Sequence, residues 1–118
     1  MRWAATTAAG TPMQLLDTYR AIATGAVAGA DVAARFLTWQ GAQPSLGGTL
    51  GFKSGSYPGV LTFGSFVRRD DRSVGYAVVL ARDLPAVPSL DQQTRGEQLL
   101  ALGPLRSARA FDRLRCVV

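Results

Sequence analysis

The spacing of the apolar residues changes near residue 45, and this change constrains the fold more than any other feature of the sequence. From residue 11 to residue 40, apolar side chains recur at the three- and four-residue spacing typical of helices. From residue 49 to residue 82, short runs rich in Val, Phe, Tyr and Leu are separated by turn residues, as strands are. Helices followed by consecutive strands favour the α+β class.

Two helices are predicted in the first part of the chain. The first spans residues 11–24, because a Thr-Pro pair provides an N-cap and a first helical position and Gly25 follows as a stop. The second spans residues 30–40, and Gly41 lies where a C-terminal glycine belongs. The aromatic residues expected to pack in the core of this region are Tyr19, Phe36 and Trp39.

Three strands are predicted next, at residues 49–53, 60–68 and 73–82. Their short connections imply an antiparallel meander flanked by helices. Asp70 and Asp71 lie in the second connection and are interpreted as solvated turn formers rather than a catalytic carboxylate pair. Gly64 and Gly75, inside the strand patterns, mark weak points or places where another backbone approaches closely.

A third helix is predicted from residue 89, where Ser-Leu-Asp-Gln resembles a capping box, to the Gly-Pro pair at residues 103–104. Residues 1–102 are therefore assigned to one small domain and residues 103–118 to a basic tail, either a short helix or a frayed end.

Composition limits the chemistry of any site. The sequence has no histidine and a single cysteine, Cys116, so it predicts neither a His/Cys metal site nor an internal disulfide, and no cofactor is expected. It contains no apolar run of the ~18 residues that a membrane span requires, and residues 1–7 lack the apolar core of a signal peptide. The net charge of +5 comes from arginines spread along the chain, with dense groups only at residues 68–72 and near the end.

All basic residues except one are arginines, and the exception is Lys53. It begins the sequence Lys-Ser-Gly-Ser at residues 53–56, on a predicted strand that extends over residues 49–55. Lysine is a compact point charge on a flexible stem, whereas arginine is a wide planar fork. A lone lysine in an arginine-rich chain therefore singles out residue 53 as a candidate functional position.

The sequence at residues 53–56 resembles the Lys-Thr/Ser-Gly box of serine β-lactamases and penicillin-binding D,D-peptidases. In that family two helices precede the box strand, and two antiparallel strands and a closing helix follow it. The order of elements here is similar over about residues 3–102, which would form a partial domain of that kind. The resemblance implies hydrolysis of a β-lactam or of a D-Ala-D-Ala cell-wall peptide through an acyl-serine, outside the cytoplasmic membrane.

The same resemblance implies a role for each residue of the box. Lys53 would supply positive charge beside the substrate carboxylate, and the hydroxyl groups of Ser54 and Ser56 would donate hydrogen bonds to it. Gly55 would let the substrate lie flush along the strand. The backbone N–H of Ser56 would form half of an oxyanion hole. Tyr57, in a loop beside the box, would either contact the substrate or pack in the turn.

The remaining motifs of the family are absent from this sequence. Lys53 is the only lysine and no serine stands three residues before it, so there is no Ser-x-x-Lys, and without asparagine there is no Ser/Tyr-x-Asn. The sequence therefore retains only half of such an active site, and this half is expected to be inactive alone. One interpretation is the C-terminal part of a hydrolase that requires a missing N-terminal segment or a second copy to cover an exposed strand edge. The other is a non-catalytic basic binding module for a carboxylate or peptide ligand, a partner protein or nucleic acid.

Overall fold

Two α-helices precede an antiparallel sheet in the computed structural model of the chain, which describes residues 10–38, 41–57, 60–83, 102–107, 109–110 and 112. The helices are α1 (Pro12–Thr24) and α2 (Ala30–Leu37). The strands are β1 (Ala42–Gln43), β2 (Gly48–Tyr57), β3 (Val60–Arg69) and β4 (Val74–Ala81), and a 3₁₀ turn (Pro44–Leu46) joins β1 to β2. The predicted α+β class is confirmed.

Helix α1 has the boundaries that the sequence predicts, because both of its ends are capped. The Thr11 hydroxyl accepts the backbone N–H of Gln14 at 3.2 Å, and the Gln14 side chain accepts the backbone N–H of Thr11 at 2.8 Å. Gly25 closes the other end in the left-handed conformation, with a φ of 73°. The reciprocal cap satisfies two N–H groups that an uncapped helix would leave without partners.

Replacing Thr11 with alanine removes this cap, and we expect the free energy of unfolding to fall by about 1 kcal/mol in urea titrations. Thr18→Ala is the matched control. The Thr18 hydroxyl donates only to the Gln14 carbonyl of its own helix, and alanine is the better helix former, so a change within about 0.5 kcal/mol is expected. Equal losses for the two variants would show that the cap contributes nothing specific.

Helix α2 ends at Leu37, before the predicted end at residue 40. Both the backbone N–H and the hydroxyl of Thr38 donate to the Ala34 carbonyl, at 2.9 and 2.8 Å. Gly41, with a φ of 67°, then donates its N–H to the Thr38 carbonyl at 2.8 Å. Gly41 therefore bonds to the residue that follows the helix and is not the residue that caps it.

The face of α2 that packs on the sheet is the alanine face. Ala30 and Ala34 are buried, whereas Val32 is exposed and the Phe36 side chain is 79% exposed. The prediction that Phe36 belongs to the core is therefore wrong, and Trp39 lies outside the described residues. Leu37, at the end of the helix, packs against the same core cluster as Ala34, whereas Val32 and Phe36 lie on the exposed side of the helix.

The sheet is antiparallel throughout, in the order β1-β2-β3-β4. β2 and β3 pair without a bulge from Gly48 opposite Arg69 to Tyr57 opposite Val60. Side chains therefore alternate regularly between the two faces of the sheet along both strands. We call the face covered by α1 and α2 the helix face, and the other the opposite face.

The prediction of three strands is wrong by one, because β1 lies between the second predicted helix and the first predicted strand, where the sequence predicts neither helix nor strand. Its two residues pair with the first two residues of β2. Gly41 and Gly47, which flank the β1 strand and the 3₁₀ turn, have φ values of 67° and 66° that reverse the chain. A two-residue strand is too short to produce an alternating apolar pattern in the sequence.

The core on the helix face is built around Phe66, which packs in one cluster with Tyr19, Ala23 and Ala34. Tyr19 is buried as the sequence predicts, and burial raises the pKa of its phenol. Arg68 lies over the Phe66 ring, 5.3 Å from its centroid, and adds a cation–π contact.

Another group closely approaches each of the two glycines inside the strands, as the sequence predicts. In both cases the approaching group is a side chain and not a backbone. A Cβ atom on Gly64 would overlap the Tyr19 ring. A Cβ atom on Gly75 would lie 3.2 Å from the guanidinium of Arg69. Gly64 therefore leaves the space in which the Tyr19 ring of α1 packs on the sheet.

The core on the opposite face contains Leu46, Leu50, Val67 and Leu105. Residues 102–106 are helical, and the Arg69 guanidinium donates to the Leu105 carbonyl at 2.7 Å. The Gly-Pro pair at residues 103–104 therefore lies inside the described helical segment and not at its end, and Leu105 belongs to a core cluster although it lies in the predicted tail. The predicted start of the helix at residue 89 lies outside the described residues, and the division at residue 102 stays a prediction.

The β3–β4 turn confirms the interpretation of its two acids as turn formers. Asp70 and Asp71 are exposed, and a carboxylate oxygen of Asp71 accepts the backbone N–H of Ser73 at 2.8 Å. Hydrogen bonds from Ser73 lower the pKa of the Asp71 carboxyl below its usual value of 3.8.

Candidate functional site

The Lys-Ser-Gly sequence lies near the end of β2, where Lys53, Ser54 and Gly55 are all exposed. The strand continues beyond the predicted residue 55 to Tyr57, which pairs with Val60. Tyr57 is thus the last residue of the strand, and its prediction as a loop residue is wrong. The structure describes the backbone of Ser56 and Tyr57 but not their side chains.

Lys53 and Ser54 extend from opposite faces of the sheet. Lys53 lies opposite Gly64 on the helix face, and Ser54 lies opposite Phe63 on the opposite face. A ligand placed above one face would meet only one of these side chains. A ligand that lies in the plane of the sheet, beside β2, would have both of them as neighbours.

The lysine ammonium is positioned at the outer edge of β2, the edge away from β3. Its Nζ atom donates to the backbone carbonyl of Ser54 at 2.7 Å. In the part of the chain that the structure describes, the only ion pair joins Arg82 to Asp83. Lys53 therefore has no carboxylate partner among these residues, and its charge is accessible to an anionic ligand.

The backbone of β2 also presents hydrogen-bonding groups at this edge. The Leu50 N–H donates to the Gly41 carbonyl at 3.3 Å, on the β1 side. Because the register with β3 has no bulge, every second residue points its N–H and C=O groups in the same direction. Ser54 and Ser56 therefore direct their backbone groups to the outer edge, whereas Lys53 and Gly55 direct theirs toward β3.

None of the described strands covers the outer edge of β2 over the box. β1 pairs only with the first two residues of β2, and no other described strand pairs with the edge between Ser54 and Tyr57. An open edge with outward N–H and C=O groups can accept an extended peptide as an additional strand. We refer to the outer edge of residues 54–57, together with the Lys53 ammonium, as the β2 edge site.

Gly55 has no side chain, so nothing projects from the helix face of the sheet at this position of the site. A Cβ atom at this position would lie 2.9 Å from the Thr62 hydroxyl, which donates to the Gly55 carbonyl at 3.2 Å. Sequence reasoning missed Thr62 as a neighbour of the box. The signal that identifies it is the two-residue link between Tyr57 and Val60, because a connection of that length fixes which residues lie opposite each other.

The dense arginines at the other end of β3 make structural hydrogen bonds. The Arg68 guanidinium donates to the carbonyls of Ala23 and Ile22, at 2.8 and 3.2 Å, near the C-terminus of α1. Arg69, half-buried, holds the Leu105 carbonyl. The sequence identifies Arg68 and Arg69 only as members of a dense group of arginines, whereas in the structure both connect β3 to other parts of the fold.

The described residues contain no group of three or more His, Cys, Asp or Glu side chains that could hold a metal ion. No helix within the described ranges is long and apolar enough to cross a membrane.

Comparisons with known proteins give no assignment. No protein-family model, curated protein or solved structure matches this chain.

Proposed function

We propose that β2 is the substrate-binding strand of a serine β-lactamase-like acyl-hydrolase site, and that this chain binds the substrate carboxylate but does not hydrolyse the substrate alone. The observation that carries the proposal is the open β2 edge site, with an accessible Lys53 ammonium beside outward backbone groups. The substrate class is a β-lactam or an acyl peptide ending in D-Ala-D-Ala.

The contacts expected for such a ligand follow from the directions of the β2 groups. An extended peptide beside β2 would exchange hydrogen bonds with the outward N–H and C=O groups of Ser54 and Ser56. Its carboxylate would accept a charge-assisted hydrogen bond from Lys53. The Ser56 N–H would donate to the carbonyl oxygen of the amide that is to be cleaved, as one of the two donors of an oxyanion hole.

Hydrolysis requires groups that this sequence does not supply. There is no Ser-x-x-Lys to provide a nucleophile and its base, and no asparagine for the second motif. The second donor of the oxyanion hole would be the backbone N–H of the nucleophilic serine, so it is missing together with that serine. The proposed partner is therefore a segment or chain that carries these groups, and the isolated chain is expected to be inactive.

A second candidate is a non-catalytic module that binds peptides with a free carboxylate. It is favoured by the same edge geometry, because strand addition and the Lys53 contact need no nucleophile. Nucleic-acid binding has weaker support, since the guanidinium groups of Arg68 and Arg69 already donate to backbone carbonyls. The two favoured candidates share the binding step and differ only in whether a partner adds catalysis.

The binding step can be tested with N-acetyl-D-Ala-D-Ala and its C-terminal amide, by calorimetry. The amide is expected to bind about 10–100-fold more weakly, because a charge-assisted hydrogen bond contributes about 1.5–3 kcal/mol. Lys53→Met is expected to weaken binding of the acid by a similar factor and to leave binding of the amide unchanged. This cycle isolates the contact between ammonium and carboxylate.

Arg35→Met provides the matched control, because Arg35 is an exposed cation that lies on α2 and not on the β2 strand. It should leave the affinity for both ligands unchanged. Equal affinities of the wild type for the acid and the amide, or equal effects of Lys53→Met and Arg35→Met, would contradict the proposal.

A further inference from the structure

The outer edge of β4 is a second strand edge without a partner among the described strands, where β4 pairs only with β3. The Arg69 N–H donates to the Ser73 carbonyl at 2.9 Å, which fixes the hydrogen-bonding pattern of this hairpin. Since the register is unbroken, the odd-numbered residues of β4 direct their N–H and C=O groups toward β3. The residues that direct their N–H and C=O groups outward are Val74, Tyr76, Val78 and Leu80.

The two open edges differ in charge. Strand β4 has the sequence Val-Gly-Tyr-Ala-Val-Val-Leu-Ala and contains neither a charged residue nor a proline. The β2 edge site contains Lys53, so two copies that paired there would bring like charges together. Charged residues and prolines are the usual means by which proteins prevent edge strands from pairing. The β4 edge has neither, and it is therefore the edge suited to an uncharged strand.

We propose that β4 pairs antiparallel with β4 of a second copy of this chain, about a two-fold axis at Ala77. In this register Val74 lies opposite Leu80 of the second copy, and Tyr76 lies opposite Val78. Every outward N–H and C=O group of the four residues then has a partner, which is the self-complementarity that a two-fold interface requires. The two sheets join into one continuous sheet.

Side-chain burial favours the same register. Tyr76 and Leu80, both on the helix face, are 36% and 39% exposed. In the dimer each lies beside a valine of the second copy, and apolar or aromatic cross-strand pairs of this kind stabilise a sheet. Ala77 meets its own copy at the axis, in a non-hydrogen-bonded pair whose Cα atoms are about 4.5 Å apart.

The proposal is tested by sedimentation equilibrium of the full chain over a wide range of concentration. The wild type is expected to be a dimer, and Leu80→Lys is expected to raise the dissociation constant about tenfold or more, because it places a charge beside an apolar residue at two symmetric positions. Val60→Lys is the matched control, since Val60 is 37% exposed but lies on β3, away from the β4 edge. It should dimerise like the wild type.

The register is tested by disulfide formation in a Cys116→Ser background, which removes the only native cysteine. Ala77→Cys is expected to form a cross-linked dimer on oxidation, because the Cβ atoms of a non-hydrogen-bonded pair lie within disulfide reach. Ala81→Cys, on the same strand and face, meets a different residue of the second copy and should stay uncross-linked. A monomeric wild type, equal effects of the two lysine variants, or cross-linking at residue 81 instead of 77 would overturn the proposal. Ligand binding at β2 does not enter any of these measurements.

Discussion

Replacing Phe66 with alanine is expected to lower the free energy of unfolding by about 3–5 kcal/mol, the usual cost of removing a buried phenylalanine. Phe66 has no exposed surface and packs with Tyr19 in the cluster beneath α1 and α2. A Cβ atom on Gly51 would overlap its ring, so the ring fills the space that this glycine leaves on the neighbouring strand. A loss of this size is a large part of the 5–15 kcal/mol that stabilises a typical domain.

Phe36→Ala is the control for this prediction, because the same side chain is removed from a position that is 79% exposed. Its effect on the free energy of unfolding should stay within about 0.5 kcal/mol. Urea unfolding followed by circular dichroism compares the two variants directly. Similar losses for Phe36→Ala and Phe66→Ala would mean that α2 buries its other face.

Gly64→Ala is expected to lower the free energy of unfolding by about 1–3 kcal/mol, the usual cost of overpacking a core. The added Cβ atom would overlap the Tyr19 ring, and neither the β3 backbone nor the buried ring can move without disturbing the core. Gly103→Ala is the matched control, since its Cβ atom would make an ordinary contact with Ala110, at 3.5 Å. It should not lower the free energy of unfolding, and can raise it by up to about 1 kcal/mol because residue 103 is helical.

The cause of the Gly64 effect can be isolated with a second substitution. Tyr19→Leu shortens the side chain that covers Gly64, so Gly64→Ala should cost less in the Tyr19→Leu background than in the wild type. If the two losses simply add, Gly64 is required for a reason other than contact with Tyr19.

The fold was predictable where local chemistry determines it. The ends of α1 follow from Thr11, Pro12 and Gly25, each of which acts within a few residues of its own position. The error at Phe36 has a different origin. Helical spacing identifies that Val32 and Phe36 share a face, but only the packing of Ala30 and Ala34 on the sheet decides which face is buried.

The candidate site was predictable in its residues but not in its geometry. Residue type and the lone lysine identify Lys53, and the strand pattern places it on β2. The outward direction of the Ser54 and Ser56 backbone groups follows from the alternation along β2, and the hydrogen bond between Leu50 and Gly41 shows which residues of that alternation face the outer edge. A two-residue strand leaves no pattern in the sequence, so the open side of β2 becomes visible only in the structure.

The two proposed contacts use different edges of the sheet, β2 for the ligand and β4 for a second copy of the chain. The β2 edge site has a cation and an exposed glycine, which suit a carboxylate-bearing extended ligand. The β4 edge is uncharged and apolar, which suits another strand of its own kind. Loss of Lys53 is therefore expected to affect ligand binding without changing the oligomeric state.

Amide hydrogen exchange at β2, measured by NMR with and without N-acetyl-D-Ala-D-Ala, tests the proposed binding mode most directly. Without ligand, the outward amides of Ser54 and Ser56 should exchange fast, and the amides of Lys53 and Gly55, which face β3, should exchange slowly. Saturating ligand should slow exchange at Ser54 and Ser56 in the wild type, and much less at the same ligand concentration in Lys53→Met. Unchanged exchange at Ser54 and Ser56 in the saturated wild type would contradict strand addition at β2.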